Sequence, residues 1–324
     1  MNQISIQVAR LLTDTAANNQ ALVLELVSGQ GAPAQGMCGY VFGIAVFTHD
    51  RAIRLRALDV LGRMASEQTV QDARRLYESV QYHFDDAAFF SRWRNTELDP
   101  LDVLLAYKMC NWHRKTRPDT TFAAIAHQSL NLSAYELPAL TPGIAAFHFV
   151  RYLWLPAHTG FDLDGALPHL QQMHLESIYL ENNKIPRFPV ELFSLPHLKT
   201  LSIRKGKHRP RNPTRVPDSG LWGSASLENL ILEGYPLAGE EHMGPFPALR
   251  EADVQRCGLH NMQFLHRSPL LERIRLRGNQ LRELPPFLGE LTHLRELDLT
   301  ENPWQVLNLN LTGLGALEKF HLSK

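Results

Sequence analysis

Cysteine is scarce in this chain: three in 324 residues, at Cys38, Cys110 and Cys257. They are too few and too scattered for a disulfide framework, which points to a reducing compartment. Excess charge of one sign is also missing, because Lys+Arg and Asp+Glu both count 33. No global electrostatic attraction to nucleic acid or to a membrane follows. The opening residues, MNQISIQVARLLTDTAANNQ, lack a basic stretch followed by an apolar core, so no signal peptide is expected and the expected location is the cytoplasm. A chain exported by a signal-less route looks the same at this level. The longest apolar run, Gly39 to Phe47, is far shorter than the about 20 residues of a bilayer span, so it is expected to be a buried helix and not a membrane segment.

Motifs that carry chemistry are missing too. GQGAPAQGMC spaces Gly31 and Gly36 as a phosphate-binding loop does, but Met37 and Cys38 stand where a lysine and a hydroxyl are needed. Cys110 and His113 form half of a zinc-ligand pattern, and no second half accompanies them. No GxSxG elbow occurs. The expectation is a protein with no catalytic residues, metal or cofactor.

What the chain does have is a repeat. The template LxxLxLxxN fits Leu175-Ile178-Leu180-Asn183, Leu271-Ile274-Leu276-Asn279 and Leu294-Leu297-Leu299-Asn302. Weaker copies are Leu198-Leu201-Ile203, Leu227-Leu230-Leu232, Leu249-Ala252-Val254-Cys257 and Leu317-Phe320-Leu322, with a degenerate first copy at Val150-Leu153-Leu155. Successive starts step by 25, 23, 29, 22, 22, 23 and 23 residues. Within each copy, inward leucines alternate with outward residues as a strand requires. One copy cannot bury its own apolar face, so neighbours must stack. The asparagine column supplies an amide that both donates and accepts to backbone groups in the turn after each strand. Cys257 occupies that column in its repeat, whereas His158, Gly206 and Tyr235 break it.

Residues 148–324 on this evidence resemble the leucine-rich repeat family. The resemblance implies a solenoid of about eight short parallel strands lining a concave face. The expected fold class is α+β, with a mostly helical domain over residues 1–146 capping a repeat domain over 147–324. Helices are expected near 18–28, 38–48, 50–64, 68–82, 86–95 and 120–130. Another starts after Asp99 as N-cap with Pro100 at its first position. One of its faces carries Leu101, Leu104, Leu105, Met109 and Trp112. The pairing of 18–27 with 50–64 looks like a HEAT-type unit. A helical half ahead of the repeats is similar to that of bacterial leucine-rich repeat proteins of undefined activity. Ubiquitin ligases of bacterial effectors place their helical domain after the repeats and carry a Cys-x-Asp motif, which none of the three cysteines here matches.

Outward strand positions give the candidate site. Tyr152, Trp154 and Tyr179 cluster at one end of the face, where they either anchor a partner or pack against the helical half. Further along, acidic, basic and acidic strands alternate: Glu251 and Asp253, then Arg273, Arg275 and Arg277, then Glu296 and Asp298. That alternation is expected to pair internally, with Arg275 between Asp253 and Asp298, while also offering a polar docking surface. The residues assigned to partner contact are Trp154, Tyr179, Arg204, Asp253, Arg273, Arg275, Arg277 and Asp298. RKGKHRPRNPTR, Arg204 to Arg215, is a basic insertion where the repeat step stretches to 29; its cations include Lys205, Lys207, Arg209, Arg211 and Arg215.

The function expected is a non-catalytic protein-interaction module or scaffold. Two alternatives stand beside it: a secreted or toxin-like effector active in its helical half, and a nucleic-acid or phosphate binder using the loop 204–215. The last strand, near Lys319, has no capping sequence after it and is a possible edge for self-association.

Overall fold

A computed structural model describes residues 18–29, 37–80, 85–91, 97–115, 128–135, 137–140, 144–145, 147–155, 161–181, 188–205, 214–215, 222–235, 237–238, 242–305 and 312–323. The chain divides into two compact units. One comprises Met1–Leu130, Ala134–Val150 and Pro168–His174; the other comprises Asn131–Ser133, Arg151–Leu167 and Leu175–Lys324.

The first unit is helical: α1 (Asn18–Ser28), α2 (Cys38–Phe47), α3 (Arg51–Met64), α4 (Glu67–Val80), α5 (Asp86–Ser91) and α6 (Pro100–Lys115). The apolar run anticipated as a buried helix is α2, and every one of its residues is buried. It packs against α3, α4 and α6. Close approach to α6 depends on Gly43, where an added Cβ would lie 2.4 Å from that of Ala106. Asp50 caps α3 by accepting the Ala52 and Ile53 amides at 2.8 and 3.0 Å. Asp99 caps α6 through the Leu101 amide at 2.8 Å. Of the expected apolar face of α6, Leu101, Leu104 and Leu105 are buried; the side chains of Met109 and Trp112, like that of His113, lie outside the described residues. α1 packs on α3, the two members of the expected HEAT-type pair.

A helix over 120–130 was the wrong expectation at its end. Ser129–Asn131 is a strand, β1, and 116–127 lie outside the described residues. Its single inward side chain, Leu130, leaves too little local pattern to reveal a strand.

The second unit is a leucine-rich repeat solenoid. After β1 come β2 (Tyr152–Trp154), helix α7 (Leu163–Leu170), β3 (Ser177–Glu181), β4 (Thr200–Arg204), β5 (Thr214–Arg215), β6 (Asn229–Glu233), β7 (Leu237–Ala238), β8 (Glu251–Gln255), β9 (Arg273–Arg275), β10 (Glu296–Asp298) and β11 (Lys319–His321). The main sheet has nine strands in the order β1-β2-β3-β4-β6-β8-β9-β10-β11, one more than the eight expected. Strands β2 to β11 of this sheet pair in parallel, residue on residue, as the template aligns them. Inward side chains such as Ile178, Leu201, Leu230, Ile274 and Leu297 have 0% exposure. Each contributes about 1.5–3 kcal/mol by burial, which fixes the register. At each of seven junctions one carbonyl accepts two amides of the next repeat, as Glu272 does from Arg295 and Glu296 at 2.8 and 3.1 Å. On the opposite side Pro285 and Pro286 start a 3-10 turn over Pro286–Glu290.

The polar ladder closes the turns. Asn279 accepts from the amides of Cys257 and Leu259 and donates to the carbonyls of Val254 and Leu276, using all four of its bonds. Asn302 repeats the pattern one step on. Cys257 serves the same column with its thiol, which donates toward Leu232 O at 3.6 Å and Gln255 O at 3.2 Å.

The basic insertion can be located from register. Glu233 and Leu237 are 4 residues apart, and their partners Arg204 and Thr214 are 10 apart, so 10 − 4 = 6 extra residues fall in the turn after β4. Lys207, Arg209 and Arg211 are among residues 206–213, outside the described residues. Arg215 sits on β5, paired with Ala238, away from the main sheet.

Candidate functional site

Backbone register arranges the outward side chains of the main sheet in rows. The first runs Tyr152, Ser177, Thr200, Asn229, Glu251, Arg273, Glu296 and Lys319. The second runs Trp154, Tyr179, Ser202, Ile231, Asp253, Arg275, Asp298 and His321. These two rows divide the face. On β2, β3, β4 and β6 they hold no ionisable acid or base other than tyrosine. On β8 to β11 every position is charged or a histidine.

In the neutral half, Trp154 and Tyr179 are adjacent in register and their rings stack, with centroids 4.5 Å apart and planes 11° apart. Both remain partly exposed. Ser177 and Ser202, at neighbouring outward positions, are nearly buried at 5% and 2% exposure. Asn229 donates to Thr200 Oγ1 at 3.1 Å, and Ile231 stands partly exposed beyond it. Ile231, Thr200 and Asn229 were outside the assigned contact set, although their outward register was readable.

In the charged half, register and bonding diverge. Arg275 lies between Asp253 and Asp298 as expected, but it does not bond Asp298. Its guanidinium takes Glu296 in a fork at 2.8 and 3.0 Å and Glu251 at 2.7 Å, with Asp253 at 3.8 Å. Glu251 is shared, because its other oxygen accepts from Arg273 at 3.0 and 3.1 Å. Asp298 instead accepts from the amide and hydroxyl of Thr300. The physical reason is length: an arginine outreaches the about 4.8 Å between strands and reaches the first-row glutamates diagonally. Forked bonding by Arg275 holds the Glu296 carboxyl below its usual value. Burial pushes the Asp253 carboxyl up, against the pull of Gln255 and Arg275.

Arg277 and Arg204 sit at the rim where the strands end, and both are exposed. Arg277 bonds Glu301, whose second oxygen lies 3.6 Å from Arg256. Arg204 falls between Glu181 and Glu233 in register and makes no ion pair with either. The opposite rim carries a pattern that single repeats hide. The residue just before each main-sheet strand from β2 to β11 alternates in sign: Arg151, Glu176, Lys199, Glu228, Arg250, Glu272, Arg295 and Glu318. Pairs form along it, including Lys199–Glu176 at 3.0 Å, Arg250–Glu272 at 2.8 Å and Arg295–Glu318 at 3.4 Å.

The cysteines do not offer nucleophiles. All three are free and buried. Burial pushes the Cys38 thiol up to about 11 and those of Cys110 and Cys257 up to about 12, so each stays protonated near neutral pH. Among the described residues no group of three His, Cys, Asp or Glu is placed to hold a metal, and no helix is long and apolar enough to cross a membrane.

The strand registers and the polar ladder define a leucine-rich repeat fold. No family model and no curated protein matches the chain. Similar solved structures include internalin InlF of Listeria monocytogenes, at 18% identity over 60% of this chain and 53% of that one, with a TM-score of 0.44. Internalin C2 of the same organism matches at 18% identity over 60% and 79%, with a TM-score of 0.46. The leucine-rich repeat domain of the type III effector XopL matches at 18% identity over 78% and 93%, with a TM-score of 0.44. The chain spans about half the length of InlF.

Proposed function

We propose that the chain is a non-catalytic interaction module, or scaffold, whose repeats bind a protein partner on the concave strand face. The observation that carries this reading is the stacked, partly exposed Trp154–Tyr179 pair on the neutral half of the strand face. Exposed aromatics with low conformational freedom are favoured anchors, because they remove large apolar area from water at small entropic cost. Arg204 and Arg277 flank the face as exposed cations, while Arg273, Arg275, Asp253 and Asp298 present a neutralised polar surface that orients a partner without driving affinity. Three free thiols fit work in the reducing cytoplasm. The test is affinity capture from the native cell, followed by a binding titration with the purified partner. Trp154→Ala with Tyr179→Ala is expected to weaken binding at least about tenfold with the fold intact, as for aromatic anchors at interfaces. An unchanged Kd refutes the assignment.

A further inference from the structure

Five residues after the start of each of the strands β6, β8, β9 and β10, the chain turns through the left-handed region: Gly234, Arg256, Gly278 and Glu301, with φ of 72°, 53°, 70° and 58°. Glycine adopts this conformation freely, whereas Arg256 and Glu301 are strained there. The two strained residues meet. A Cβ on the intervening Gly278 would sit 2.8 Å from Arg256 Cγ, so only glycine lets Arg256 cross it to reach Glu301. Arg277 grips the other oxygen of the same carboxylate. Two guanidiniums therefore converge on one carboxylate. All three side chains are near 44% exposed, where ion pairs are weak and exchange with solvent and solutes.

Beside Glu301 lies an open hollow of about 570 Å³, lined by Asn279, Gln280, Glu301, Asn302, Pro303 and Trp304. Asn279 and Asn302 are committed to the backbone ladder. Gln280 is exposed, which leaves its amide available to an incoming chain. Glu301 both lines the hollow and holds the two arginines, so displacing it would remove the carboxylate that Arg256 and Arg277 share at the edge of the hollow. A carboxylate is the group the pair already holds, with one oxygen turned to each guanidinium.

We infer that Arg256 and Arg277 form a carboxylate-binding subsite that takes an acidic side chain of the protein partner. Glu301 is its internal occupant, and the partner's backbone runs through the hollow beside Trp304. This rests on the interaction-module reading and names the chemistry of one of its contacts.

The experiment follows arginine side-chain NMR signals of the full chain at low salt. The probe is the blocked tetrapeptide Ac-Glu-Glu-Glu-Glu-NH2, with Ac-Gln-Gln-Gln-Gln-NH2 as control. Saturable shifts at Arg256 and Arg277 with the glutamate peptide alone are expected. Glu301→Gln, which removes the competitor, is expected to bind it about threefold tighter, the size of an exposed ion pair. Arg256→Gln with Arg277→Gln should lose the response; Arg277→Gln alone, which removes one of the two guanidiniums, should weaken it. No saturable shift, an equal response to the glutamine peptide, or no gain from Glu301→Gln overturns the proposal. A stronger response to a thymidine tetranucleotide also overturns it, in favour of phosphate recognition. If the native partner is lost on changing Trp154 and Tyr179 but binds the Arg256/Arg277 variant unchanged, the module reading stands and the carboxylate subsite falls.

Discussion

Replacing Arg275 with methionine separates its structural role from any binding role. The side chain is 28% exposed and lies within 4 Å of Glu251, Asp253 and Glu296, two of which it grips with charge-assisted bonds. Exposed pairs contribute about 0–1 kcal/mol and charge-assisted bonds in less exposed places about 1.5–3 kcal/mol. Two such contacts at partial burial give a loss of about 2–3 kcal/mol, and methionine keeps most of the apolar stem. For a unit of this size that is a fall of about 4–12 °C in Tm. The loss carries a pH signature. The Glu296 carboxyl is held down in the folded state, chiefly by its bonds to Arg275. Its stabilisation is complete above the ordinary carboxylate value near 4.3 and disappears as pH falls through the lower folded value. Asp253 adds in the same sense, since its raised carboxyl is costlier to ionise without Arg275. The penalty should therefore be largest at neutral pH and clearly smaller near about pH 3.5. Denaturant titration of the full chain at both pH values measures it. A loss below about 0.5 kcal/mol at neutral pH, or one independent of pH, refutes the ladder as described.

Asn279→Ala should cost about 2–4 kcal/mol, because it strands the buried amides of Cys257 and Leu259 and removes a donor from the carbonyls of Val254 and Leu276, the latter still held by Asn302; urea denaturation near that of the parent would contradict this. Gly43→Ala should destabilise the helical unit by about 1–3 kcal/mol by forcing α2 from α6, read as a lower melting point in far-UV circular dichroism. No thiol should react promptly with a disulfide reagent at pH 8, and reactivity should rise only as pH approaches about 11, the Cys38 value; a rapid stoichiometric burst at pH 8 would show an accessible thiolate.

The sequence alone determined the repeat. A period of 22–29 residues with inward leucines specifies which side chains are buried, and burying them fixes strand register, because a slip of one residue turns every leucine to water. The cap at Asp99 and the ladder role of Cys257 were readable from single positions. β1 escaped because Ser129–Asn131 is a strand only by virtue of its neighbour. Tertiary structure decided everything that joins one repeat to the next through side chains. It sent Arg275 to Glu251 and Glu296 and away from Asp298, stacked Trp154 on Tyr179, and drew Arg256 across Gly278 to Glu301. These contacts join residues 21 to 45 apart in sequence, and the rotamers of long side chains choose among several partners within reach. Periodicity constrains a backbone strongly and such choices hardly at all, so the frame was legible in the letters and the contacts on its face were not.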